Sequence, residues 1–348
     1  MLPTTDKRLP GRVVTGLLLA LLALLVVLVT GLGYIHISPG QVVEILGRGL
    51  EGSGLAGSGP DQVLYRVVWE VRLPRILTAV VVGASLGLAG AVFQGILLNP
   101  LADPFTLGVS SGAAFGASLA LIAGLDFLGP YTVSLLAFAG AAATLFAVLW
   151  LSTVDGQLSP HNLILSGVIV AAMLSAGISF IKYLADEQVA VIIFWLMGSL
   201  VSRTWLDAGV CGGFFAAGML ICLYYSRELN LLSLGQRSAR SLGVDTRRVR
   251  LTLLLAASLV SAAAVSVSGI IGFVGLLMPH LMRFLVGPDN RRLMPASAAA
   301  GALLLLMADT TTRAFLPHEV PIGVLTALIG GPFFCWIFRR RQLGGRGV

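Results

Sequence analysis

The chain has 348 residues, 57% of them hydrophobic and only 11% charged, with a formal net charge of +7. Soluble domains carry about 25% charged residues, so this chain lacks the polar surface to fold in water, and its basic excess does not point to nucleic acid. Its solvent is the bilayer, where backbone groups must bond internally as helices or a closed barrel. The apolar runs are long and lack the period-two alternation of barrel strands.

A spanning helix needs about 20 mostly apolar residues. In chain order such runs lie at residues 13–34, 76–98, 105–123, 131–151, 163–184, 206–225, 251–268, 270–286, 293–307 and 322–338. The expected fold is all-α: one polytopic membrane domain over residues 1–348, with about ten transmembrane helices. The apolar stretch 189–201 is too short to cross and reads as a half-helix or re-entrant piece. The first run follows Lys7, Arg8 and Arg12 with no A-x-A cleavage site, and is read as a retained helix. With ten spans both termini share a side, and 16 of the 23 Lys and Arg residues fall there. The positive-inside rule makes that side the cytoplasm, N-in and C-in. Seven basic residues remain opposite, diluted by acids such as Glu44, Glu51, Glu70 and Asp186.

Small-residue ridges, Gly83-x-x-x-Gly87 and Gly112-x-x-x-Gly116, let helix backbones approach closely. The three cysteines, Cys211, Cys222 and Cys335, lie in apolar runs and form no C-x-x-C pair. Gly108-Val109-Ser110-Ser111-Gly112 fits G-x-S-x-G, but a nucleophile elbow needs a strained strand-to-helix turn, and here the motif opens an apolar helix. His36, His161, His280 and His318 show no metal-ligand spacing, and His318-Glu319 is not continued to H-E-x-x-H. The chain has no phosphate-binding G-x-x-x-x-G-K-[ST] loop, and its only lysines are Lys7 and Lys182. If ATP drives this protein, another chain binds it. Mid-span ionisable residues, which ion-coupled carriers use, are scarce: Lys182 and Arg283 sit near span ends, and Asp309 at the outer end of the ninth run.

Three features remain. In "RLPR", Arg72 and Arg75 share one helix face, and Pro74 sits where a missing N–H is no loss. The segment is a helix start presenting two cations at the outer surface, to lipid headgroups or to an acidic partner. At the inner end, Pro100 and Pro104 in "NPLADP" force a stiff turn, either a plain hairpin or a gate. The cytoplasmic segment "RELNLLSLGQRSARSLGVDTRRVR" (residues 227–250) is amphipathic and broken at Gly235 and Gly243. It suits two short helices that lie on anionic lipid or enter a groove on another protein.

From residue 71 to 338 the sequence resembles the FecCD family of ABC-importer permeases. The blocks that carry the resemblance are "RLPR", "GAVFQGILLNPLADPFTLGVSSGAA", "LSLGQRSARSLGV", "GFVGLLMPHLMRFLVGPDNR", "LLLLMADTTTR" and "EVPIGVLTALIGGPFF". It implies a homodimer with a pathway on its two-fold axis. Two ATPase subunits lie beneath it, and a periplasmic or surface-tethered binding protein docks above. It gives Arg72, Arg75 and Arg313 the docking role. Asn99 and Leu101 take the inner gate, with Ser159, Pro160 and His161 as its second segment. Leu229, Leu234, Gly235, Arg237, Arg240, Leu242 and Gly243 form coupling helices seated in the ATPases. The implied setting is a bacterial cytoplasmic membrane. No cofactor or catalytic residue is expected in this chain; ATP and magnesium belong to the partner ATPase. The cargo implied is a metal chelate: an iron siderophore first, with haem, cobalamin or molybdate as alternatives. Outside this family, an ion-coupled secondary transporter and a membrane-embedded hydrolase are the rivals.

Overall fold

A computed structural model of the protein describes residues 10–33, 37–50, 60–154, 157–314 and 320–344. Lys7, Arg8, His36, Glu51, His318, Glu319 and Arg346 lie outside the described residues. Helix α1 (Gly11–Gly31) leads from the near end, where the chain begins, to the far end. There α2 (Pro39–Leu50) and α3 (Pro60–Arg66) follow, and a π-helical stretch, Val67–Arg72, feeds α4 (Leu73–Leu97). Next come α5 (Val109–Ile122), α6 (Thr132–Ser152) and a minimal hairpin in which β1 (Thr153–Val154) pairs with β2 (Gln157–Leu158). The rest of the chain is α7 (Pro160–Leu184), α8 (Val189–Leu196), α9 (Trp205–Tyr224), α10 (Ser226–Leu232), α11 (Gln236–Ser241), α12 (Thr246–Ser268), α13 (Val274–Val286), α14 (Asn290–Ala314) and α15 (Ile322–Gly344).

Among the described residues, seven helices are long and apolar enough to cross a membrane, and three shorter apolar helices lie at Val109–Ile122, Val274–Val286 and Ile322–Cys335. Together they correspond to the ten runs expected. The apolar stretch after residue 188 forms only the short α8 and then turns, as its length requires.

Helices α4, α12 and α14 are the centre of the bundle, buried over most of their length. Helices α1, α7 and α9 are peripheral and expose apolar side chains such as Leu17, Met173 and Leu220, as lipid-facing helices do. Close approach at the centre depends on small residues. A methyl group at Gly83 would collide with the Gly301 carbonyl, and one at Gly87 with the Ser297 carbonyl. Both glycine ridges are therefore seams, α4 on α14 and α5 on α6, where Gly112 and Gly116 face Gly140 and Leu136.

The seventh and eighth runs, which no charge separates, are split by backbone conformation. Gly269 has φ of 68°, and Phe273 takes the left-handed region at 67° before α13 begins. The reversal after α8 meets this break. Ser199 N–H donates to the Ser268 carbonyl at 2.8 Å, and Ile322 and Gly323 N–H donate to the Gly198 and Met197 carbonyls at 3.1 Å. These bonds satisfy backbone groups that no helix pairs, which an apolar surrounding demands.

Candidate functional site

At the far end, Arg72, Arg75 and Arg313 do gather, brought together by the start of α4, the end of α14 and the end of α1. The first two are not surface cations, however: Arg72 is 6% exposed and Arg75 8%. Arg72 Nη1 donates to the Thr30 carbonyl at 2.8 Å. Arg313 Nη1 and Nη2 donate to the Leu32 and Val29 carbonyls at 2.7 and 3.0 Å. These are carbonyls at the end of α1, where cations also meet the negative end of the helix dipole. The two guanidiniums converge on Gly33, where a Cβ would sit 2.9 Å from Arg72 Nη2 and 3.2 Å from Arg313 Nη1.

Arg75 Nε pairs with Asp309 Oδ1 at 2.9 Å, and Asp309 is wholly buried. The presentation of Arg72 and Arg75 as two outer cations is thereby corrected. Both are drawn inward, one by helix-end carbonyls and one by a buried carboxylate, and only Arg313 stays half-exposed. Asp309, read from sequence as a span-end residue, is the internal partner that reading missed. Its place one helix turn before Arg313 was the available signal.

At the near end, the turn after α4 is stiff. Leu98 adopts the left-handed region, and Asn99 Oδ1 accepts the Leu101 N–H at 3.0 Å. Asp103 Oδ1 accepts from Phe105 N–H, Thr106 N–H and Thr106 Oγ1 at 3.0–3.1 Å. Burial raises the Asp103 carboxyl above its usual range, and the Thr106 and Phe105 bonds pull it back. Leu101 projects into the open while Asn99 is half-buried. The segment expected to form the second part of a gate lies at the same end. Ser159 Oγ caps α7 by accepting the Asn162 N–H at 3.1 Å, with Pro160 in the first turn and His161 exposed. Gly167 on α7 packs against Thr106 and Leu107, so the turn runs beside α7. Arg250 Nη1 donates to the Leu158 carbonyl, tying the hairpin before α7 to the start of α12.

The 227–250 segment folds as α10 and α11, with left-handed turns at Gly235 (φ 103°) and Gly243 (φ 84°). Its leucines divide. Leu229 is buried against Gly95 of α4, so it seats the segment and does not reach outward. Leu234 and Leu242 are 65% and 59% exposed, beside the exposed Arg237 and Arg240. Arg240 Nε also bonds Thr246 Oγ1 at 3.2 Å. Sequence reading missed the anchor. Asn230 Nδ2 donates to Asp289 Oδ1 at 2.7 Å, and Asn230 Oδ1 accepts from Asn290 N–H and Nδ2 at 2.9 and 2.8 Å. A polar side chain among leucines in "ELNLL" was the visible hint.

Ser110 is buried in the first turn of α5, not on a strand-to-helix elbow. Among the described residues no three His, Cys, Asp or Glu side chains are grouped to hold a metal ion.

The model of the FecCD transport family matches residues 20–340. The chain belongs to the FecCD family of ABC-importer permeases. It is 44% identical over 285 residues to the cobalamin import system permease BtuC of Halobacterium salinarum, covering 82% of this chain and 76% of the relative. It is 36% identical over 342 residues to the hemin transport system permease HmuU of Yersinia pestis, covering 97% and 98%. A solved structure described as an inward-facing conformation of a metal-chelate type ABC transporter superposes with a TM-score of 0.81 at 36% identity, covering 94% of this chain and 99% of that one. The buried arginine cluster, the stiff turn and the leucine elbow of α10–α11 are thus parts of a multi-pass FecCD permease.

Proposed function

We propose that this chain forms the membrane pathway of a binding-protein-dependent importer for a metal chelate, with an iron chelate as the first candidate. Two copies pair around the pathway. An ATP-hydrolysing subunit sits under the near end of each, and a binding protein delivers cargo at the far end. The near end is cytoplasmic, in a bacterial inner membrane, consistent with the concentration of basic residues there. The chain is a conduit without catalytic residues or a cofactor of its own, and ATP and magnesium belong to the partner.

The observation that carries this reading is the α10–α11 elbow. It exposes two leucines and two arginines in water while Leu229 and Asn230 fix it to α4 and α14. An apolar knob on a rigid mount fits a groove on another protein, and a motion imposed there reaches the central helices directly. Two relatives are named for cobalamin and hemin, bulky chelates whose metal is masked by its ligand. A bare divalent ion would call for a shell of oxygen ligands.

Leu234→Asp with Leu242→Asp tests the elbow. The ATPase subunit should no longer co-purify with the permease, while the permease itself stays folded. Undiminished co-purification sinks the assignment. Of the three arginines gathered at the far end, only Arg313 stays half-exposed. Arg313→Glu should weaken stimulation of ATP hydrolysis by the binding protein, less so at high salt.

A further inference from the structure

At the near end, between the foot of α1 and the start of α14, lies an open groove of about 690 Å³. Arg12, Arg291 and Arg292 line it together with Gly16, Leu19 and Pro295. The order along α1 is the order of a phospholipid. Charge sits at the mouth, and one to two turns deeper the lining is apolar, on a helix whose outward face exposes Leu17, Leu21 and Leu24. One carboxylate, Asp289, also lines the groove, but it is engaged. Its Oδ1 accepts from Asn230 Nδ2 at 2.7 Å and Arg291 N–H at 3.1 Å, and its Oδ2 lies 4.0 Å from Arg292 Nε. Three arginines against one occupied carboxylate leave the mouth net positive.

The groove is built into the fold. The aliphatic stem of Arg292 lies across Gly11, so closely that a Cβ there would strike it. That contact holds the guanidinium at the foot of α1, with its stem on apolar surface and its head in the polar zone. Gly16 faces open space, with no atom within 4 Å of where a Cβ would stand. We infer that this groove is a binding site for an anionic phospholipid, whose phosphate pairs with Arg12, Arg291 and Arg292 while an acyl chain runs over Gly16 and Leu19. Basic pockets between helices at the cytoplasmic interface recognise such headgroups. Asp289 gives the site a second role. The carboxylate that closes its polar edge is the one that anchors Asn230 of α10, so the lipid lies against the mount of the α10–α11 elbow. The site itself does not depend on the transport reading.

The test uses the full-length chain in nanodiscs of equimolar phosphatidylcholine and phosphatidylglycerol, with retained lipids counted by native mass spectrometry. The wild-type chain should keep phosphatidylglycerol in preference to phosphatidylcholine. Replacement of Arg12, Arg291 and Arg292 by Gln should erode that preference by roughly fivefold per arginine. Gly16→Leu, which fills the groove without touching its charge, should lower retention as well. Arg339→Gln, exposed on α15 and outside the groove lining, serves as the control and should change nothing. An unchanged preference in the triple variant, or an equal loss in the control, overturns the inference. Displacement of phosphatidylglycerol by inorganic phosphate would make this a free-anion site and also overturn it. So would loss of a protein partner from the triple variant in pure phosphatidylcholine, which would assign the groove to that partner.

Discussion

Arg75 and Asp309 meet inside the bundle, where their contribution is read most clearly by breaking them one at a time. Arg75→Ala removes the guanidinium that pairs with Asp309 Oδ1, and removing one member of such a pair costs about 3–5 kcal/mol. Thermal unfolding in detergent should show a large loss for Arg75→Ala. The double change Arg75→Leu with Asp309→Leu should recover most of it, since replacing both charges by apolar groups removes the desolvation cost. If the single and double variants unfold alike, the loss belongs to packing and not to charge. The sequence makes the arginines visible because "RLPR" is a cationic helix start. It conceals their burial, because nothing in residues 72–75 says that the carbonyl of Thr30, 42 positions earlier, will accept from Arg72, or that Asp309 will pair with Arg75.

Elements were far more legible than contacts between them. A bilayer admits few solutions, so apolar length alone identifies the spans, and all ten recur as helices. The 227–250 segment was also readable as two helices, since Gly235 and Gly243 punctuate it at positive φ. What periodicity cannot say is which leucine faces inward: Leu229 and Leu232 of α10 are buried, while Leu234 and Leu242, in the turns after α10 and α11, face water. The seat of Leu229 on Gly95 and the Asn230 bonds to Asp289 and Asn290 decide it. Asn230→Ala should keep the ATPase subunit bound yet reduce the stimulation of hydrolysis by loaded binding protein, measured in reconstituted vesicles. Equal stimulation would remove Asn230 from the transmission path. The seams respond differently. Gly83→Ala forces a methyl group into the Gly301 carbonyl and should cost about 1–3 kcal/mol as overpacking, visible as a lowered unfolding temperature.

At the scale of the whole molecule, peripheral helices surround a buried trio, α4, α12 and α14, that spans both ends. The same α4 begins at the Arg72 cluster and finishes at the turn that carries Leu101, and α14 begins at Asn290 and finishes at Arg313. On the proposed function, cargo arrival and nucleotide turnover would act on opposite tips of the same two rods. Vesicles holding this subunit without an ATPase should not concentrate a chelate, and accumulation in them would overturn the conduit reading. The backbone bonds that join residues 197–199 to Ser268, Ile322 and Gly323 carry a consequence of their own. Three reversals share one fastening, so α15 cannot swing while the α8 hairpin and the end of α12 stay still. Like spokes set in one hub, they turn together.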